Sequence, residues 1–361
     1  MHSEKSSASI EEKYLKRYAK WAFITLSLLI LLLLSMVFAS SIGPAQIDAG
    51  KVFGIILRQI PLIGGMVNKC WTPLEEGAVL QIRFPRVLSA ALVGVALSIA
   101  GTIFQCVFRN PMADPYMLGV ASGAGFGATL VIVLGVGLSQ LGLFCAIPLM
   151  AFIFAMLTLF LVYSIARTGF GIPILRLILA GIAVSSFFSA LISLMMAIAD
   201  EGVHAAFSWL FGGFPISRWE YIYVAAPVIL LTSALIYTFA RDLNVMLLGD
   251  EEARHLGVEV EALRKRLLIL ASLVTAVAVS MSGIIGFIGL VVPHMMRILV
   301  GPDHRILIPS SALFGASLLV LCDTVARTIL RPIVLPAGIV TAMLGAPFFI
   351  YLLIKSGRTL M

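Results

Sequence analysis

Residues 241 to 266 read RDLNVMLLGDEEARHLGVEVEALRKR, the one long polar segment in the interior of an otherwise apolar chain. Eleven of its 26 residues are charged: Arg241, Asp242, Asp250, Glu251, Glu252, Arg254, Glu259, Glu261, Arg264, Lys265 and Arg266. So dense a set of charges lies in water, because an unpaired charge in an apolar medium is far too costly. Gly249-Asp250 reads as a helix start, its acids complementing the N-terminal dipole, and Leu256-Gly257 reads as the stop. The segment therefore predicts a short helix, a glycine break and a second helix. Two roles fit it. One is a solvated connector between membrane spans, the usual meaning of a charge run. The other is a docking surface for a soluble partner.

Outward from this segment the chain turns apolar on both sides. Of 361 residues, 60% are hydrophobic and 12% charged, against about a quarter charged in soluble domains. The mean hydropathy is +1.07. The fold class is an all-α integral membrane protein, and the useful divisor is the ~20 apolar residues needed to cross a bilayer. The predicted spans are Trp21–Ser41, Val87–Phe108, Gly119–Leu138, Leu141–Ala166, Ile172–Ala199 and Tyr221–Ala240 before the polar segment. Leu267–Ser282, Ile284–Val300, Ile306–Thr324 and Gly338–Ile354 follow it. Leu267 to Val300 is too long for one upright helix, so Ser280 and Gly283 mark a turn. Residues 1–20 are a polar tail and residues 21–361 a single ten-span domain. Between the first two spans, residues 42–80 form an external segment with an amphipathic piece near Val52–Ile60.

With ten spans both termini lie on one side. Of the 25 Lys and Arg, only Lys51, Arg58, Lys69, Arg83, Arg86, Arg218, Arg327 and Arg331 fall on the opposite side. That asymmetry places both termini and residues 241–266 in the cytoplasm, in a multi-pass protein of the cell membrane. The net charge of +7 is what juxtamembrane Lys and Arg produce, and it does not imply nucleic acid. An internal echo supports two inverted halves: Val95, Ala96, Ser98, Gly101, Ile103 and Pro111 recur as Val277, Ala278, Ser280, Gly283, Ile285 and Pro293, all at an offset of 182. Inverted repeats are a common build for transporters.

Catalytic motifs are absent. There is no HExxH or GxSxG, and Gly50-Lys51 lacks the other residues of a phosphate-binding loop, so the chain is not expected to hydrolyse ATP alone. Cys70, Cys106, Cys145 and Cys322 show no metal-binding spacing. Ionisable residues inside spans are few: His294, Arg297, Asp323 and Arg327. Asp323 and Arg327 are spaced for a helical ion pair. His294 reads as a structural hydrogen-bonder. Gln105 fits either helix packing or a lining position on a pathway, and Gly101, Gly283 and Pro293 are its companions in that group. An ion-gradient-driven secondary transporter is the alternative reading, disfavoured by the lack of acids at mid-span.

Taken together the motifs resemble the permease subunits of type II ABC importers for iron-siderophores, haem and cobalamin. The residues carrying the resemblance are Arg83-Phe-Pro-Arg86, Gly94 through Gly101 with Gln105, Arg109-Asn-Pro-Met-Ala-Asp-Pro115, Leu247 through Gly257, Gly286 through His294 with Arg297, Asp303-His-Arg305 and Leu335-Pro336 through Phe348. The resemblance implies a homodimer that moves a metal chelate by alternating access, with two cytoplasmic ATPase subunits and an extracytoplasmic binding protein. It implies no cofactor on this chain; ATP and Mg would sit on the partner. It assigns Gly249, Asp250, Ala253, Arg254, Leu256, Gly257 and Val258 to coupling with the ATPase. Arg83, Arg86 and Arg327 are assigned to docking the binding protein. Where many relatives carry Glu before the last external Leu-Pro, this chain has Val334.

Overall fold

The computed structural model describes residues 2–43, 46–61, 64–135, 143–168, 173–199, 202–215 and 217–357. The extremities of three predicted spans, 136–138, 141–142 and 172, and Arg358 of the C-terminal tail fall outside them. Among the described residues the chain is helical, with no strand. Ahead of the polar segment run α1 (His2–Ser41), α2 (Ala49–Arg58), α3 (Pro73–Gly77), α4 (Phe84–Val107), α5 (Val120–Leu134), α6 (Leu143–Ala166), α7 (Ile174–Ile198), α8 (Val203–Leu210) and α9 (Trp219–Thr238). Then come α10 (Ala240–Met246), α11 (Asp250–His255), α12 (Val260–Ser282), α13 (Ile288–Val300), α14 (His304–Thr328) and α15 (Ala337–Gly357).

Each predicted span is met by one helix: α1, α4, α5, α6, α7, α9, α12, α13, α14 and α15. Among the described residues six helical stretches are long and apolar enough to cross a membrane by themselves; α5, α13 and the apolar part of α15 are shorter, and α12 opens on charged residues. Two boundaries differ from expectation. The polar tail is not separate, because α1 continues unbroken from His2 through Ser41; Lys, Glu and Ala in that stretch are all good helix formers. Ser280 lies inside α12, and the turn is made by Gly283 to Phe287 alone. Between α1 and α4, the amphipathic piece forms α2, and its buried Val52 and Ile55 meet Trp71 and Val79 in a small separate core.

Helix α4 is the centre of the bundle. It continues α3 through a π-helical turn, Ala78–Arg83, and most of its residues are buried. By contrast α1 leaves Phe23, Leu26, Leu33, Leu34 and Phe38 uncovered, a face suited to lipid. The helices α4, α5, α6 and α7, of 24, 15, 24 and 25 residues, are answered by α12, α13, α14 and α15, of 23, 13, 25 and 21. Packing follows the same exchange: α4 lies against α14 and α13, as α12 lies against α6 and α5. The repeat is therefore one of architecture. Its offset of 182 is overturned: α4 and α12 start 176 residues apart. Gly101 is inside α4 while Gly283 ends α12, and Pro111 is in a loop while Pro293 is inside α13. Small and branched apolar residues had matched at the wrong register.

Candidate coupling site and arginine cluster

The polar segment folds around two special glycines. Gly249, at φ +138°, precedes the first turn of α11, where Asp250, Glu251 and Glu252 sit. Gly257, at φ +85°, ends it, in a conformation that L side chains rarely adopt. Ala253 is fully buried, and its carbonyl accepts from Val258 N at 2.9 Å, closing the turn. The second helix is not a separate piece: it is the charged start of α12, continuous with a span. This corrects the expectation that the second helix lies within the polar segment and that a separate span begins at Leu267, since nothing between Val260 and Leu267 breaks a helix.

Asp250 ties α11 to the body. Its carboxylate takes Arg264 Nη2 of α12 at 3.0 Å and an ion pair from Arg109. Arg109 has φ +47°, an uncommon conformation for a side-chain-bearing residue, and also donates to Met246 O at 3.2 Å. Burial works against the Asp250 charge, but Arg264 and Arg109 outweigh it and hold the carboxyl below its ordinary range. Arg254 reaches only to Glu261, at 3.9 Å. Leu247, Leu248 and Leu256 are exposed around this acidic turn. A cleft of about 310 Å³ lined by Phe239, Asp242, Gly257, Val258 and Leu263 opens beside it. An apolar rim thus surrounds a charged helix that Arg109 and Arg264 hold at Asp250.

At the other end of the bundle the three arginines converge on α1 and α14. Arg86 grips Asp323 in a bidentate pair, Nε to Oδ2 at 3.0 Å and Nη2 to Oδ1 at 2.8 Å. Arg327 Nε lies 3.0 Å from the same carboxylate. Its Nη2 donates to Ala39 O at 3.2 Å and its Nη1 to Ile42 O at 3.3 Å. Arg83 Nη1 donates to Ser40 O at 3.0 Å and Ser41 O at 2.9 Å. Carbonyls at a helix C-terminus have no partner of their own and carry negative dipole, so the cations cap α1. Arg83 is 6% exposed and Asp323 1%. The Asp323–Arg327 pairing expected from spacing is formed, and Arg86 joins it.

The remaining candidates sit where α4 crosses its neighbours. A Cβ added to Gly101 would lie 1.7 Å from Gly289 O of α13. Pro293 has no N–H to return to that carbonyl, four residues back, which leaves it free to face α4. Gln105 Nε2 donates to Leu290 O at 3.0 Å, so it clamps α4 to α13 rather than lining an opening. Gly283 lies against Trp209 O, where a Cβ would be 2.1 Å away. His294 makes an edge contact with Phe348. Among the described residues no group of His, Cys, Asp and Glu is placed to hold a metal. Sequence reasoning missed Asn244, Arg264 and the shared role of Asp323. The Arg241–Arg266 stretch showed that Arg264 was charged, but not that it folds back on Asp250.

Residues 28–355 match the FecCD transport family. The cobalamin import permease BtuC of Halobacterium salinarum is 45% identical over 273 residues, 75% of this chain and 72% of that one. The hemin transport permease HmuU of Yersinia pestis is 43% identical over 277 residues, 76% and 83% of the two chains. An ABC transporter permease of Bacillus subtilis, YvrB, is 41% identical over 328 residues, 91% and 92%. A solved inward-facing structure of the metal-chelate type of ABC transporter superposes with a TM-score of 0.79 at 33% identity, covering 92% of this chain and 99% of that chain.

Proposed function

The chain belongs to the FecCD transport family, as a multi-pass permease subunit of an ABC importer, and from that premise we propose how its two ends divide the work. The α11 turn is the seat of a cytoplasmic ATPase subunit, and the outer arginine cluster is the seat of an extracytoplasmic binding protein. Two copies of the chain face each other across the pathway, and both termini are cytoplasmic. The cargo is a metal chelate of the size of haem, a siderophore complex or a corrinoid. The chain holds no cofactor; ATP and Mg belong to the partner.

One observation carries the reading: a short helix on a charged segment, pinned at Asp250 by Arg109 and Arg264, presenting Leu247, Leu248 and Leu256 to solvent. A pinned helix transmits force, and an apolar rim gives a partner something to bury. On the outer side, three guanidinium groups against one carboxylate leave surplus positive charge, which steers an acidic partner even where the groups are largely covered. A cavity of about 510 Å³ between α5, α7 and α8, lined by Ser122, Ser185, Ser189, Phe207 and Phe211, is the candidate half-pathway. Its mix of hydroxyls and rings suits a bulky chelate that is passed on rather than tightly held.

The test is alternating access itself. In proteoliposomes holding the chain with its ATPase subunit, hydrolysis should rise on adding the binding protein, and reversing Arg83 and Arg86 to Glu together should weaken that stimulation. Stimulation left at the wild-type level would remove the arginines from docking. Uptake persisting without ATP would instead favour an ion-driven carrier.

A further inference from the structure

The coupling turn has a third joint to the body, distinct from the Asp250 pairs. Asn244 lies in α10, five residues before Gly249. Its Nδ2 donates to Asp303 Oδ1 at 2.8 Å. Its Oδ1 accepts His304 N at 2.8 Å and lies 2.9 Å from His304 Nδ1. The amide orientation is settled by its neighbours, because the carboxylate needs a donor and the backbone N–H an acceptor. Asp303 in turn caps α14 by accepting from Arg305 N at 3.1 Å, and pairs with Arg305 and with Arg17 of α1.

The joint matters for where it leads. Helix α14 runs 25 residues from His304, about 37 Å at 1.5 Å per residue, and carries Asp323 and Arg327 at its far end. One continuous helix, with Pro309 inside its first two turns, thus holds the coupling segment at its inner end and the arginine cluster at its outer end. Of the two Asp250 pairs, the one to Arg109 joins side chains 34% and 44% exposed, where water weakens ion pairs, while Arg264 on the same carboxylate is 9% exposed. The Asn244 joint is part-buried, with the Asp303 side chain 12% and His304 2% exposed, and hydrogen bonds partly shielded from water are harder to open.

We propose that Asn244 is the positioning residue that makes α10 and α11 move with α14, so that events at the ATPase and at the binding protein are coupled along α14. The proposal rests on the permease reading and names the residue through which that reading works. Its test is a double-mutant cycle in proteoliposomes containing the chain, its ATPase subunit and its binding protein, comparing Asn244→Ala, Asn244→Asp, Asp303→Asn and the exchange Asn244→Asp with Asp303→Asn. Asn244→Ala should lower binding-protein stimulation on the order of fivefold, with basal hydrolysis and ATPase recovery within about twofold of wild type. The exchange, which keeps a donor facing an acceptor but, like Asp303→Asn, gives up the Asp303 ion pairs to Arg17 and Arg305, should exceed Asp303→Asn alone in stimulation. Basal and stimulated hydrolysis falling together would show a merely structural joint and overturn the proposal. So would unchanged stimulation in Asn244→Ala, or additive single variants. A wild-type chain that recovers no ATPase would instead overturn the permease reading itself.

Discussion

Asp323 is the residue on which the arginine cluster depends. It is buried with two guanidinium groups on one carboxylate, and removing one partner of a buried charge cluster leaves the others uncompensated. Asp323→Asn should therefore cost about 3–5 kcal/mol, seen as a lowered thermal transition of the detergent-solubilised protein. Arg86→Lys, which cannot reproduce the bidentate pair, should cost less but measurably; a wild-type transition in Asp323→Asn would show that the cluster bears no load. At the other end of α14, the Arg305 hydrogen bond, opposed by burial and reinforced by Asn244 and the Arg305 N–H, holds the Asp303 carboxyl far below its ordinary value. A carboxyl depressed on folding stabilises above its unfolded pKa, near 4, and the stabilisation is lost as pH falls through the folded value. The contribution of Asp303, measured as the difference from Asp303→Asn, should be constant from pH 8 to 5 and shrink only in stronger acid. A difference that vanished near pH 6 would contradict the pairing.

Among elements, α11 and its flanks make the sharpest prediction. Nothing lies within 4 Å of a Cβ built on Gly257, so the demand there is for backbone conformation rather than space. Gly257→Val should uncouple hydrolysis from binding-protein stimulation, whereas Gly257→Asn, which tolerates positive φ, should retain most of it. Equal defects in both would point to a steric contact instead. The crossing of α4 and α13 behaves oppositely: Gly101→Ala puts a methyl group into Gly289 O, and should reduce the yield of folded protein, checked by size-exclusion profile. The start and stop of α11 were legible because acids after Gly249 and the glycine at 257 are local signals. The merger of the second helix into α12 was not, since a helix crosses from water to lipid without any change in backbone chemistry. Nor were the partners of Asp250, Asn244 and Asp323 legible, because they are set by packing between helices 14 to 237 residues apart in sequence.

At the scale of the molecule, the two inverted sets of helices, α4 to α7 and α12 to α15, place the polar segment between them at one face and the arginine cluster at the other. The hydrophobic spans and their order could be read from composition and length. The exchange of packing between the halves could not, because apolar residues match at several registers and only the folded lengths distinguish them. On the proposed reading the α11 turn seats a cytoplasmic ATPase subunit. The direct measurement is recovery of that subunit, with ATP hydrolysis, when the tagged chain is purified from its native membranes in mild detergent, beside a variant in which residues 249 to 257 are replaced by a flexible Gly/Ser stretch. An ATPase recovered with the intact chain and lost with the variant is the predicted result; an intact chain that comes out alone, or a variant that retains the ATPase, contradicts it.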